Sequence, residues 1–210
     1  QTPAFDPEQL IGQAVQLSIK LDDGTLSPRH GWVDSVRYLG SDGGLDDWQL
    51  VFAPWFSLLE YRVDCRIWQE MNLPDILTQV FQRYSQAQGA YRFELSREYP
   101  LLSYVTQFNE SDAHFVQRWC EQEGLFWYVE HQVDSHCIVF TDSVMFLPTL
   151  NPQSLRFHTQ QTAAEQDSIT QWSPGSRLLN GAVQSSSNDY FCHARTQATQ
   201  ALAFPAASAP

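Results

Sequence analysis

Lysine is almost missing from this chain: of 12 basic side chains only Lys20 is a lysine, against 24 carboxylates and a net charge of −12. A nucleic-acid surface needs a basic stripe that displaces counterions, so this composition excludes one. An anionic membrane would repel the same surface. No apolar run approaches the roughly 18 residues of a membrane span, so stable membrane insertion is not expected. No cleavable signal opens the sequence. The four cysteines, Cys65, Cys120, Cys137 and Cys192, form neither a C-x-x-C nor a zinc-ligand spacing. Their low density points to buried free thiols in a reducing compartment, with a Cys120–Cys137 disulfide left open. There is no G-x-S-x-G nucleophile elbow, and "GSDGG" lacks the lysine and helix of a phosphate loop.

What is present suffices for a core: 210 residues, 43% of them hydrophobic, make one large domain or two small ones. The chain opens on Gln1 and breaks off in "FPAASAP", from which we expect a fragment of a longer protein.

The first part reads as strands. Val15, Leu17, Ile19 and Leu21 alternate on one face, which predicts a half-buried strand followed by the turn "DDGT". "GWVDSVRYLG" and "DWQLVFAPW" give two more strands around "GSDGGLDD", and Pro54 stops the third. An antiparallel meander follows, up to about residue 57. The period then changes. Leu73, Ile76, Leu77, Val80, Phe81 and Tyr84 form one helical face, with Asn72 as N-cap and Pro74 in the first turn. "YRFELS" and "LLSYVTQF" return to strand. "NESDAHFVQRWCEQEG" predicts a second helix capped by Asn109 or Ser111, with Phe115, Val116, Trp119 and Cys120 buried and Gly124 as its stop. "LFWYVEH" pairs with "HCIVFTDS" through "QVDS". Beyond Ser143 only "DSITQW" and "NGAVQSSSNDY" read as strands.

The region Val105–Gln132 concentrates chemical groups. As metal ligands, His114 and Cys120 fail, because six residues on a helix place them about 120° apart. His131 and His136 flank a hairpin loop and can approach each other, but no third and fourth ligand follows. As catalytic carboxylates, Glu121 and Glu123 are two apart and share no point. Glu110 and Asp112 are explained by helix capping, and Glu130 ends a strand. Glycoside cleavage needs two carboxyls about 5–10 Å apart. The seven tryptophans suit sugars, yet Trp119 and Trp127 lie in apolar runs that favour core packing. The residues therefore read as scaffold, with no catalytic, cofactor-binding or metal site.

The segment "YPLLSYVTQFNESDAHFVQRWCEQEGLFWYVEH" resembles the VgrG spike proteins of type VI secretion systems. The family pattern is met at Tyr99, Pro100, Tyr104, Gln107, Glu110, Ser111, Asp112, Phe115, Arg118, Glu121, Glu123, Gly124, Tyr128, Glu130 and His131. "DCRIWQEMNLPDILTQVF", "SLRFHTQQTAAEQDSITQW" and "NGAVQSSSNDY" also look like family segments, so the resemblance runs from "LIGQAVQLSI" to about Tyr190. Phe108, Asn109, Trp119, Cys120, Leu101 and Leu102 depart from the pattern.

The resemblance implies an α+β, mainly antiparallel β fold like a phage tail hub. A split β-barrel from residues 1–57 and 145–195 would carry an inserted α/β domain at 58–144, with 196–210 as linker or tail. It implies a homotrimeric, non-enzymatic ring without cofactor, docking on a tube of hexameric Hcp rings. Baseplate proteins and effectors are the further partners. A second barrel and a β-helical needle normally follow this region, where effectors attach or are fused, and we expect neither needle nor effector within this chain. It also implies assembly in the bacterial cytoplasm and then secretion or injection into target cells. A hub of a contractile phage tail or related device is the alternative, and a carbohydrate-binding or glycoside-cleaving module stands behind it. The hub reading expects Trp119 and Trp127 buried; the carbohydrate reading expects exposed, coplanar tryptophans.

Overall fold

Alternating apolar and polar residues give the first three strands, β1 (Ala14–Lys20), β2 (Leu26–Ser41) and β3 (Asp46–Ala53). They form the expected antiparallel meander in the order β1-β2-β3. The computed structural model describes residues 6–21, 23–149, 154, 156–157, 168–169, 171–175, 182–189 and 194–201. In the first turn the Asp23 carboxylate accepts from the Thr25 N–H and hydroxyl, and Gly24 takes φ +82°, which only glycine adopts freely. β2 is longer than the sequence suggests, beginning at Leu26 and bending at two register shifts against β3.

One expectation changes here. Leu17 and Ile19 are 50% and 42% exposed, so the middle of the alternating face of β1 is open, while Val15 and Leu21 at its ends are half-buried as expected. Alternation states which side chains share a face; it does not state what covers that face.

Pro54 ends β3, and a short 3-10 segment, Trp55–Tyr61, leads into the α/β part. Its elements are β4 (Val63–Trp68), α1 (Leu73–Phe81), β5 (Tyr91–Glu94), β6 (Val105–Ser111), α2 (Asp112–Glu123), β7 (Phe126–Gln132) and β8 (Ser135–Thr141). β4 pairs antiparallel with β6. β8 lies between β5, parallel to it, and β7, antiparallel to it. The β7–β8 hairpin closes on Val133–Asp134, with Asp134 at φ +59°.

Both helices start where the sequence places them. The Asn72 side chain accepts from the Asp75 N–H at 2.9 Å, and Ser111, not Asn109, accepts from the His114 N–H at 3.1 Å. Gly124 stops α2 at φ +76° with its N–H on the Cys120 carbonyl. α1 buries Leu73, Ile76, Leu77, Val80 and Phe81, the apolar stripe of its sequence.

These stripes meet in one aromatic core. Trp55, fully buried, lies edge-on to Phe81 at 5.1 Å, and Phe81 stacks on Phe140 of β8 at 5.2 Å. Trp68 stacks on Phe115 of α2 at 4.9 Å, joining β4 to α2. The outer face of the β4–β6 pair, with Val63, Ile67 and Phe108, is exposed. Cys65 is an exposed free thiol, Cys137 a half-buried one and Cys120 a buried one, so no bond joins Cys120 to Cys137.

The chain divides into two compact units, Gln1–Leu155 with Ala163–Asp167, and Arg156–Thr162 with Ser168–Pro210. All elements named so far belong to the first. In the second, β9 (Arg156–Phe157) pairs parallel with β10 (Ser168–Ile169), and β11 (Ala182–Asp189) pairs antiparallel with β12 (Ala194–Ala201). β10 and β11 fall in the two segments read as strands from sequence. β12 occupies residues 194–201, where a linker from 196 was expected, and 202–210 lie outside the described residues. The fold is α+β and mainly antiparallel, as expected, but the described strands form open sheets of two or three and close no barrel.

Candidate functional site

The carboxylates of Val105–Gln132 are placed by backbone elements and then tied by neighbours. Asp112 opens α2 at the end of β6, so its side chain turns inward and is fully buried. It accepts from the Tyr84 hydroxyl at 2.7 Å and from Gln107 Nε2 at 2.8 Å, with Arg83 Nη1 3.9 Å away. Burial and the Asp112 hydrogen bond both raise the Tyr84 pKa above that of a free phenol. Two residues earlier, Glu110 binds the Arg118 guanidinium and His114. Arg118 holds its carboxyl below the usual carboxylate range, and His114 adds to this. Arg118 also reaches the Thr106 carbonyl at 2.8 Å, so it fastens α2 to β6.

On the sheet, Arg92 of β5 forks onto Glu130 of β7 at 2.7 and 2.8 Å and binds Glu94 at 2.8 Å. This bidentate contact keeps Glu130 below its usual pKa. Glu121 accepts from Gln117, and Glu123 sits 3.6 Å from Arg97. Glu110, Asp112 and Glu130 each serve a local ion pair or hydrogen bond.

The histidines behave differently. In β8, His136 lies directly opposite His131 of β7, so the sequence expectation of their approach holds. Their rings are 6.1 Å apart. The structure adds a third, His30 of β2, which sequence reasoning did not single out. His30 Nδ1 lies 2.7 Å from His136 Nδ1, and the His30 N–H donates to His131 Nδ1 at 3.1 Å. His136 Nε2 accepts from the Trp55 N–H at 3.0 Å. His30 was missed because nothing local marks it: it stands 101 residues from His131. His114, on α2, is bound to Glu110, and Cys120 is buried in the core, so neither belongs to this cluster. Among the described residues no group of three or more His, Cys, Asp or Glu is arranged to hold a metal ion.

The tryptophans also separate two readings. Trp119 and Trp127 are partly buried and pack against the core; Trp127 stacks on Phe56 at 4.9 Å. Neither forms the exposed, coplanar platform that a sugar site needs. Arg118 instead lies 5.5 Å above the Trp119 ring.

The fold combines mainly antiparallel sheets of two or three strands with two helices, and the acidic motif residues brace those helices and strands as in a scaffold. The chain belongs to the phage tail baseplate hub (GPD) family, whose model matches residues 1–209. Its relatives carry the VgrG resemblance through. It is 30% identical to the type VI secretion system spike protein VgrG4b of Pseudomonas aeruginosa over 181 residues, 86% of this chain and 22% of that protein. It is 34% identical to VgrG1c of the same organism over 67% of this chain and 19% of that one. The chain thus spans about a fifth of the length of these relatives. Among solved structures it superposes on an Escherichia coli type VI secretion component described as similar to the T4 bacteriophage tail proteins gp27 and gp5. The TM-score is 0.63 at 24% identity, over 68% of this chain and 39% of that one.

Proposed function

We propose that this chain is the hub-like region of a type VI secretion spike. In this reading three copies form a non-enzymatic ring that docks on the end of a hexameric Hcp tube. The assembled spike would meet baseplate proteins in the bacterial cytoplasm and leave the cell with its effectors. The match of the hub family to residues 1–209 carries the proposal. Two further observations support it. The relatives along the chain are spike proteins, and the acidic residues of the motif region are occupied with bracing. The division into a split barrel of 1–57 and 145–195 around an insert of 58–144 belongs to the same proposal. So does the absence of a catalytic site. A hub of a contractile phage tail is the second reading, favoured by the family's own description.

The test is native mass by light scattering across a concentration series, followed by co-sedimentation with Hcp rings. We expect a particle of three 24.1 kDa chains that sediments with the rings. A particle that stays monomeric and leaves Hcp in solution, both for this chain and for a longer one containing it, overturns the ring.

A further inference from the structure

The three histidines meet at a seam between the β1–β3 sheet and the α/β part, and their hydrogen bonds fix every tautomer. His136 Nε2 accepts from the Trp55 N–H, so a neutral His136 carries its proton on Nδ1. That proton points at His30 Nδ1, 2.7 Å away, which must accept; neutral His30 is therefore protonated on Nε2. His131 Nδ1 accepts from the His30 N–H, so His131 is likewise protonated on Nε2. Each nitrogen facing the seam is already used. A further proton on His136 Nε2 or His131 Nδ1 removes a hydrogen bond to a backbone N–H. One on His30 Nδ1 sets two N–H groups head to head.

The surroundings offer a cation no relief. From β2 the charged group facing the cluster is Arg29, which opposes charge on His131. The 3-10 segment presents the Trp55 N–H, and β1 presents the neutral Gln16, which accepts from the Asp134 N–H at the hairpin tip. Glu130 and Cys137, neighbours in sequence, turn to Arg92 on the opposite side of the sheet. His30 is 9% and His136 5% exposed, so water does little to solvate added charge.

We propose that His30, His131 and His136 form an acid-released latch: neutral, the three hold the β7–β8 hairpin against β2, and when His131 and His136 take up protons the two part while the helical core stays folded. The latch touches the core only at its edge: the Trp55 N–H donates to His136 Nε2 and Phe140 shares β8 with His136, while the apolar face of α1 and the Phe81–Phe140 stack on β8 involve none of the three imidazoles.

The experiment is nuclear magnetic resonance on the nitrogen-15-labelled chain, titrated from neutral to acidic pH. At neutral pH the ring nitrogens should report His136 as the Nδ1–H tautomer and His30 and His131 as Nε2–H. On acidification, amide exchange at Trp55 and His30, corrected for the intrinsic rate, should rise at least tenfold while α1 and α2 stay protected. In the double variant His30→Gln/His136→Gln this step should vanish. Should that variant not fold, His131→Gln, whose side-chain oxygen can still accept from the His30 N–H, should move the step to lower pH. Other tautomers at neutral pH, helices that open at the same pH as the seam, or a step unmoved in the variant that folds would each overturn the latch.

Discussion

The Tyr84 hydroxyl donates to the fully buried Asp112 carboxylate at 2.7 Å and so joins the chain just beyond α1 to the first turn of α2. Removing that donor leaves Asp112 with Gln107 and a distant Arg83. The loss of one partner of a buried charged acceptor costs about 1–3 kcal/mol. We expect Tyr84→Phe to lower unfolding stability by that amount in urea, with an unchanged m-value. Asp112→Ala should cost more, since it strands the Tyr84 hydroxyl, leaves Gln107 Nε2 only the Glu110 carbonyl and adds a small void.

Gly31 tests the pairing of β2 with β3 from the backbone side. A Cβ there would sit 2.7 Å from the Ala53 carbonyl oxygen and 2.8 Å from Phe52 Cδ2. The obstacle is mainly backbone, so β2 and β3 would have to separate locally. Gly31→Ala should cost about 1–3 kcal/mol, as overpacking does, and lower the thermal midpoint. Gly44→Ala, whose nearest neighbour would be an Asp42 carboxyl oxygen at 3.9 Å, should change little.

How far the sequence revealed this fold depends on the range of each signal. The caps at Asn72 and Ser111, the stop at Gly124 and the apolar stripe of α1 are local, and the structure matches them. The β7–β8 hairpin was legible for the same reason. The exposed face of β1 was not, because its cover depends on neighbours and not on its own alternation. Nor was the His30–His136 contact, which joins residues 106 apart in sequence. The Arg92–Glu130 fork escaped as well: Glu130 was legible as a strand-end acid, but its partner lies across β8 on another strand.

The thiols should react in an order set by burial. Cys65 is exposed on β4, Cys137 is half-buried beside Arg92, and burial pushes the Cys120 thiol up to about 12. The thiolate is the reactive form, so Cys120 should stay unlabelled by a thiol reagent until the chain unfolds. Among the three described cysteines, mass spectrometry of peptides after timed labelling should find Cys65 modified first. Cys65→Ser should remove that fast phase and leave the Cys120 rate untouched. Fast labelling of Cys120 in the folded chain would contradict its place in the core.

Acid should weaken the folded chain through His136 before it reaches the carboxylates. Burial pushes this imidazole down from 6.5 to about 4, and the neighbouring His30 and His131 add to the shift. The folded state then holds fewer protons than the unfolded one between those two values, so stability rises with pH across that window. It is fully present above about 6.5 and is lost as pH falls toward about 4. At about 1.4 kcal/mol per pKa unit, His136 accounts for up to about 3.5 kcal/mol. Glu110 and Glu130, held low mainly by Arg118 and Arg92, act with the same sign at lower pH. Their share is present above the ordinary glutamate pKa and is lost as pH falls through their depressed folded values. Urea unfolding at a series of pH values should therefore show two declines on acidification, one beginning near pH 6.5 and another below about 4.5. His136→Gln should flatten the first while leaving the second. An unchanged first decline in that variant would mean that another group, not His136, takes up the proton.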